Sequence, residues 1–211
     1  MRENNNMADI VYEFEGSLYI NLTNRCSNDC DFCIRNIKNG VGGGRDLWLA
    51  DDPDAAHVKT LLDGYDLSEY SSVVFCGFGE PTCALSVLLD VAHYLKERGA
   101  ATRINTNGQA NLINGIDNVP QLLAPCIDTV SVSLNASDAE KYQQICHCVY
   151  GEKGFAAMIE FTRQCVAAGI DTVMSVVDCI GEKEVKACAE VAKSTGARFR
   201  VRKTVHAEDE Y

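Results

Sequence analysis

The chain has 211 residues, 46% of them hydrophobic, which is long enough for one well-buried domain and short for two. Its formal net charge of −11 works against tight binding of a polyanion, so nucleic acid is disfavoured as a partner, and no apolar run approaches the roughly 18 residues needed to span a bilayer. Eleven cysteines without a secretion signal at the start point to a reducing, cytoplasmic setting in which thiols stay free.

In chain order, residues 1–15 read as a loose, largely polar segment and 16–211 as one core domain. Ser17 to Leu22 is the first expected strand, and a loop carrying Cys26, Cys30 and Cys33 leaves its carboxyl end. Asn36 to Gly44 is rich in Gly and Asn, but neither Lys-Ser/Thr nor an immediate helix follows, so a phosphate-binding loop is a poor reading. Asp51-Asp52-Pro53-Asp54 places acids and a proline where a helix start favours them, and that helix is expected to run to Asp63.

Further strands are expected at Ser72 to Cys76, Thr102 to Asn105, Thr129 to Leu134, Thr172 to Val177 and Arg198 to Val201. Helices are expected at Ala84 to Arg98, Val119 to Leu123, Ser137 to Ile145, Phe155 to Ala168 and Glu182 to Ser194. Short apolar strands alternating with helices imply a parallel sheet covered by helices, in six strand-helix units of which the last lacks its helix. A partial barrel and a doubly wound open sheet both fit this periodicity, and in either one the ligand-binding loops emerge at the carboxyl ends of the strands. Arg198, Arg200, Arg202 and Lys203 form the basic cluster, with the arginines alternating along the last strand so that one side is solvated or cofactor-facing.

Three thiols within eight residues are soft ligands for a shared centre, and iron–sulfur clusters are the centres most often held by cysteines alone. A four-iron cubane on three thiolates leaves one iron open, and a small molecule with neighbouring amine and carboxylate groups can chelate it. Zinc is the rival, although it usually takes four protein ligands and only Cys30 and Cys33 have the Cys-x2-Cys spacing. Cys146-His147-Cys148 is a second dense group, but it needs distant help to complete a four-ligand metal site.

Cys-x3-Cys-x2-Cys with Phe32 just before the last cysteine resembles the signature of the radical S-adenosylmethionine (radical SAM) superfamily. That resemblance implies a partial (β/α)6 TIM-type barrel, α/β with parallel strands in a single domain. It implies a [4Fe–4S] cluster on Cys26, Cys30 and Cys33, and S-adenosylmethionine at the open iron. It also implies reductive cleavage to a 5′-deoxyadenosyl radical, fed by a donor such as flavodoxin or ferredoxin.

Gly77-Phe78-Gly79-Glu80-Pro81 resembles the family's Gly-Gly-Glu motif, with Phe78 in place of the first glycine. Glycine lets the backbone come close, and Glu80 offers an anionic acceptor for the cofactor's ammonium. An ordinary strand-to-helix turn is the plain alternative. Asn105 resembles the residue that lies against the ribose and methionine part, since a carboxamide both donates and accepts; a simple Asn107-Gly108 turn explains the segment nearly as well. Strand alternation puts Ser131, Ser133 and Asn135 on one side, where family members place cofactor-contacting polar groups. Asn135 stands where glycyl-radical activases commonly have lysine. Val177, closing a strand, matches the apolar residue that packs on adenine.

Among subfamilies the chain most resembles the small TatD-associated radical SAM proteins. A 7-carboxy-7-deazaguanine synthase-like or activase-like role is the runner-up, and a non-catalytic cluster or zinc scaffold is the alternative from another class. With only Lys203 to Tyr211 after the last strand, the barrel mouth is expected to stay partly open. Water must then be excluded by a polypeptide substrate, or by a homodimer around a small-molecule substrate.

Overall fold

The computed structural model describes residues 9–37 and 46–204; the expected glycine-rich connection at Gly42-Gly43-Gly44 and most of the polar start lie outside them. The chain forms β1 (Val11–Phe14), β2 (Ser17–Ile20), α1 (Ala55–Leu62), β3 (Val73–Phe75), α2 (Leu85–Glu97), β4 (Thr102–Thr106), α3 (Ala110–Asn114) and α4 (Val119–Leu123). It continues through β5 (Thr129–Ser133), α5 (Ala139–Cys146), α6 (Lys153–Ala167), β6 (Asp171–Val177), α7 (Glu182–Thr195) and β7 (Arg198–Arg202).

The seven strands make one sheet in the order β1-β2-β3-β4-β5-β6-β7; β1 is antiparallel to β2 and every later pairing is parallel. This monotonic order separates the two architectures that the sequence left open. A right-handed crossover puts its helix on one face as long as the strands advance in one direction, whereas a doubly wound sheet must reverse direction at a switch point. No reversal occurs here, so the fold is the partial-barrel arrangement, with its helices on one side.

The segment expected to be loose up to residue 15 differs from that expectation over Val11–Phe14, which pairs with β2 in the register Val11↔Ile20 to Phe14↔Ser17. Glu15 and Gly16 both have positive φ, 46° and 72°, the two-residue turn whose twist suits an antiparallel hairpin. The core therefore begins near residue 10.

Alternation along the strands sorts the residues onto two faces. Leu18, Ile20, Phe75, Ile104, Val130, Val132 and Met174 are fully buried against the helices in one continuous core. Cys126, Cys146, Cys165 and Cys188 belong to the same core, as small apolar residues do. The opposite, inner face carries Tyr19, Arg103, Asn105, Ser131, Ser133 and Ser175. Helix starts are set locally: the Asp54 carboxylate accepts from the His57 N–H at 2.8 Å, and Asp138 from the Lys141 N–H at 2.9 Å. Among the described residues no helix is long and apolar enough to cross a membrane.

Candidate active site at the carboxyl ends of the strands

The cysteine loop follows β2 and is tied down on three sides. Ahead of it, Asn21 to Arg25 run against the loop after β3. A Cβ on Gly77 would sit 2.0 Å from Asn21 Oδ1, and one on Gly79 would sit 2.2 Å from the Thr23 carbonyl oxygen. Only glycine allows this approach, and the Glu80 N–H then donates to the Arg25 carbonyl at 2.7 Å, one residue before Cys26. On the second side the loop pairs with the end of α5. The Asp29 N–H donates to the Cys146 carbonyl at 2.9 Å, the Asp31 N–H to Ile145 at 3.1 Å, and the Val149 N–H to Ser27 at 2.9 Å.

The third tether is a buried polar network. Ser27 Oγ donates to Gln109 Oε1 at 2.7 Å, and Gln109 Nε2 donates to Asn28 Oδ1 at 3.0 Å and to the Tyr142 hydroxyl at 2.9 Å. Asn28 Nδ2 reaches the same hydroxyl at 2.8 Å, and Asn107 Nδ2 donates to Ser27 Oγ at 2.8 Å while lying 3.9 Å from Cys26 Sγ. Buried polar groups cost little only when partnered, and here the partners hold the two residues between Cys26 and Asp29 in one arrangement.

Each thiol of the loop is pushed above its ordinary value. Burial, followed by the nearby Glu80 charge, raises Cys26 to about 12. A hydrogen bond with the Cys146 thiol, then burial, raises Cys30; burial raises Cys33. The thiols are therefore neutral until a metal's positive charge displaces their protons. Among the described residues no three His, Cys, Asp or Glu side chains are gathered tightly enough for a single ion. A cluster asks something different, one thiolate to each of three irons. Three half-buried thiols on one tethered loop, each within the electrostatic reach of Cys30 or bearing it, fit that donor set.

Glu80 is buried and works harder than its sequence role suggested. Oε1 accepts from the Thr82 N–H, the Thr82 hydroxyl and the Thr106 hydroxyl at 3.1, 2.7 and 2.7 Å, and Oε2 accepts from the Asn107 N–H at 2.7 Å. It joins the loops after β3 and β4. Among the described residues it forms no ion pair, and burial, opposed by those hydrogen bonds, raises its carboxyl. Oε2 keeps acceptor capacity, so a cation reaching it would meet an anion with no internal counter-charge.

Phe78 turns away from this site into a small apolar group with Tyr12 and Leu47, edge-on to Trp48 at 5.1 Å between ring centroids. Phe32 is half-buried beside Cys33. Asn105 lies on the inner face and hydrogen-bonds the Cys76 thiol. Ser131 and Ser133 share that face while Val130, Val132 and Leu134 pack in the core. Asn135 leaves their alternation: at φ 61° it is buried, its Nδ2 3.6 Å from Cys146 Sγ and its Oδ1 without a partner. Val177 is buried at the end of β6.

Cys146-His147-Cys148 acts as a clamp on the cysteine loop. Cys146 meets Cys30, His147 in a left-handed conformation pairs with Asp31 at 2.7 Å, and Cys148 meets Gln109 Oε1 at 3.4 Å. Sequence reasoning missed Ser27, Asn28, Gln109 and Tyr142. Their signal is complementarity between positions 33 to 114 residues apart, which no local pattern carries, although Ser27 and Asn28 lie within the cysteine loop already singled out.

The family model described as the radical SAM superfamily matches residues 20–191. The chain belongs to the radical SAM superfamily. As in that superfamily generally, it is an enzyme. Streptococcus suis SuiB bound to S-adenosylmethionine superposes with a TM-score of 0.68 at 19% identity, covering 94% of this chain and 41% of that one. The structure of anSMEcpe with bound AdoMet gives 0.64 at 16% identity over 89% of this chain and 51% of that one. A radical SAM methyltransferase from Sphaerobacter thermophilus gives 0.61 at 14% over 94% and 70%. By sequence, 91 residues are 32% identical to a Pyrococcus furiosus protein named as a cofactor-modifying protein of tungsten-containing aldehyde ferredoxin oxidoreductase, covering 43% of this chain and 23% of that protein. The chain thus spans about a quarter of that curated relative and under half of SuiB.

Proposed function

We propose that this radical SAM chain carries a [4Fe–4S] cluster on Cys26, Cys30 and Cys33, binds S-adenosylmethionine beside it, and cleaves the cofactor reductively to act on an organic substrate. The observation that carries this reading is the tethered three-thiol loop packed directly against a buried carboxylate that lacks an internal cation. When bound, the cluster would supply the single electron that breaks the sulfonium bond, releasing methionine and the 5′-deoxyadenosyl radical.

The protein's own part is positioning. Glu80 Oε2 would accept from an N–H of the cofactor's amino group while its other bonds hold the loops after β3 and β4 together. Asn105, Ser131 and Ser133 offer donors and acceptors along the inner face, Asn135 and Val177 close the strand ends above them, and Phe32 shields the cluster loop. Phe78 supports the loop from behind, with Gly79 providing the close approach.

The electron donor is proposed to be a flavodoxin or ferredoxin, and the setting the cytoplasm. The substrate is proposed to be a polypeptide or a small molecule enclosed by a homodimer. The test is anaerobic incubation of the reconstituted protein with dithionite and S-adenosylmethionine. 5′-Deoxyadenosine should form slowly and depend on all three cysteines; formation that survives their replacement would contradict the reading.

A further inference from the structure

One buried thiol beside the cysteine loop has a polar neighbour on each side of its sulfur. Cys146 ends α5 and is fully buried; its carbonyl accepts the Asp29 N–H at 2.9 Å, and the Ile145 carbonyl accepts the Asp31 N–H at 3.1 Å. These two bonds flank Cys30 and seat it against the last turn of α5. Cys30 packs on the core group that contains Cys146, and the two thiols hydrogen-bond. From the other side, Asn135 Nδ2 donates to Cys146 Sγ at 3.6 Å. Asn135 is buried in left-handed backbone at φ 61°, a conformation that asparagine tolerates better than most residues.

A thiol offers one weak donor and an accepting sulfur. With its sulfur accepting from Asn135, Cys146 has its S–H left to give, and a Cys30 sulfur that has lost its proton to iron can only accept. We propose that Cys146 is a positioning residue for the cluster: its S–H, oriented by Asn135, donates to the iron-bound sulfur of Cys30 and holds the cluster at a higher reduction potential than the three thiolates alone would give. This deepens the radical SAM reading and rests on it. A hydrogen bond to a cluster sulfur favours the state with more negative charge, which is the reduced one, so the single electron is easier to load. Cys26 takes its closer donor from the backbone, the Asn28 N–H at 3.4 Å, which no substitution there removes.

The test is an anaerobic redox titration of the reconstituted full chain without S-adenosylmethionine, followed by paramagnetic resonance of the reduced cluster, with iron, sulfide and zinc measured per chain. Cys146→Ala should keep its cluster and shift the reduced-to-oxidised ratio at a given potential about three- to tenfold toward the oxidised form, a midpoint roughly 30 to 60 mV more negative for one electron. Cys146→Ser, which restores a donor, should sit at the parent potential or above it. Asn135→Gly accepts the positive φ and should move the potential in the direction of Cys146→Ala by a smaller amount. Cys165→Ala, a core thiol on α6, should leave it unchanged.

A potential unchanged in Cys146→Ala, or lowered as far in Cys146→Ser as in Cys146→Ala, would overturn the proposal, since packing and not the donor would then be responsible. An unmoved potential in Asn135→Gly would overturn the orienting part of it. Should Cys146→Ala take up no iron, Cys146→Ser decides alone: a potential at or above the parent's supports the donor, and one below it overturns it. A parent that binds zinc and no iron would sink the cluster reading itself, whereas a parent cluster whose potential no variant moves sinks this inference alone.

Discussion

Two groups of buried polar side chains are treated in opposite ways. Around the cysteine loop, between β2, β4 and α5, Ser27, Asn28, Gln109 and Tyr142 satisfy one another in a closed network. On the inner face, the Nε atoms of Arg103 on β4 and Arg202 on β7 are buried with no partner. A satisfied network rigidifies what it holds, and unsatisfied groups mark where something else is to be held. On the proposed reading the first group would hold the cysteine loop in place for its cluster.

The strongest way to break this contrast is to remove the thiols. Replacing any one of Cys26, Cys30 or Cys33 by Ala should abolish stable iron binding, measured as iron and sulfide per chain after anaerobic reconstitution. Cys165→Ala, on the buried face of α6, should keep its iron and lose only stability, on the order of 1 to 2 kcal/mol for a small buried side chain.

Next in size is the network. Gln109→Ala would leave the Ser27 hydroxyl proton and Asn28 Oδ1 without their partners, each worth about 1 to 3 kcal/mol when unpaired, while Asn28 Nδ2 keeps the Tyr142 hydroxyl, and water entering the gap will recover part of the loss. We expect a fall in urea stability of several kcal/mol at most and faster cluster loss in air. Unchanged cluster lifetime would show that the network supports the fold and not the loop.

Glu80 sharpens the comparison because it belongs to the satisfied side yet lacks a cation. Its folded-state carboxyl is raised above the unfolded value, so its stabilising contribution is present at low pH and is lost as pH rises through the raised value. On the proposed reading the cofactor's amino group would donate to the ionised form. Affinity for S-adenosylmethionine should therefore increase with pH across that range in the parent, and Glu80→Gln should bind about ten- to a hundredfold more weakly with the pH dependence gone. The glutamine is preferred to alanine because Glu80 also joins two loops, which an alanine would release. A persistent pH dependence in the variant would assign it elsewhere.

The smallest effect belongs to the clamp. His147→Ala removes an exposed pair with Asp31 and should cost under about 1 kcal/mol, with the cluster retained.

What the sequence made legible follows from the range of the interactions involved. Strands and helices were readable because apolar runs and alternation are local, and each expected element is present within a few residues. β1 escaped because four residues, Val11–Phe14, give little periodicity and their turn depends on Glu15 adopting positive φ. Periodicity could not tell a doubly wound sheet from a barrel, since strand order is a property of pairing across the whole chain, and only the family resemblance pointed to the barrel. Within the site, the thiols and the Gly79-Glu80 turn announced themselves by spacing. Gln109 and Tyr142 did not, because their partners lie on a loop that sequence distance hides. Arg202 showed only as one member of a basic alternation, and its burial, with the pairing of Arg198 to Asp171, separates the two.

The central claim is a three-thiolate cluster with an iron open to the cofactor. It is tested most directly by paramagnetic resonance of the anaerobically reconstituted, dithionite-reduced protein, recorded with and without S-adenosylmethionine and alongside metal analysis. The account predicts about four irons per chain and a reduced-cluster spectrum that changes on cofactor addition. Stoichiometric zinc without iron, or a cluster spectrum indifferent to the cofactor, would contradict it.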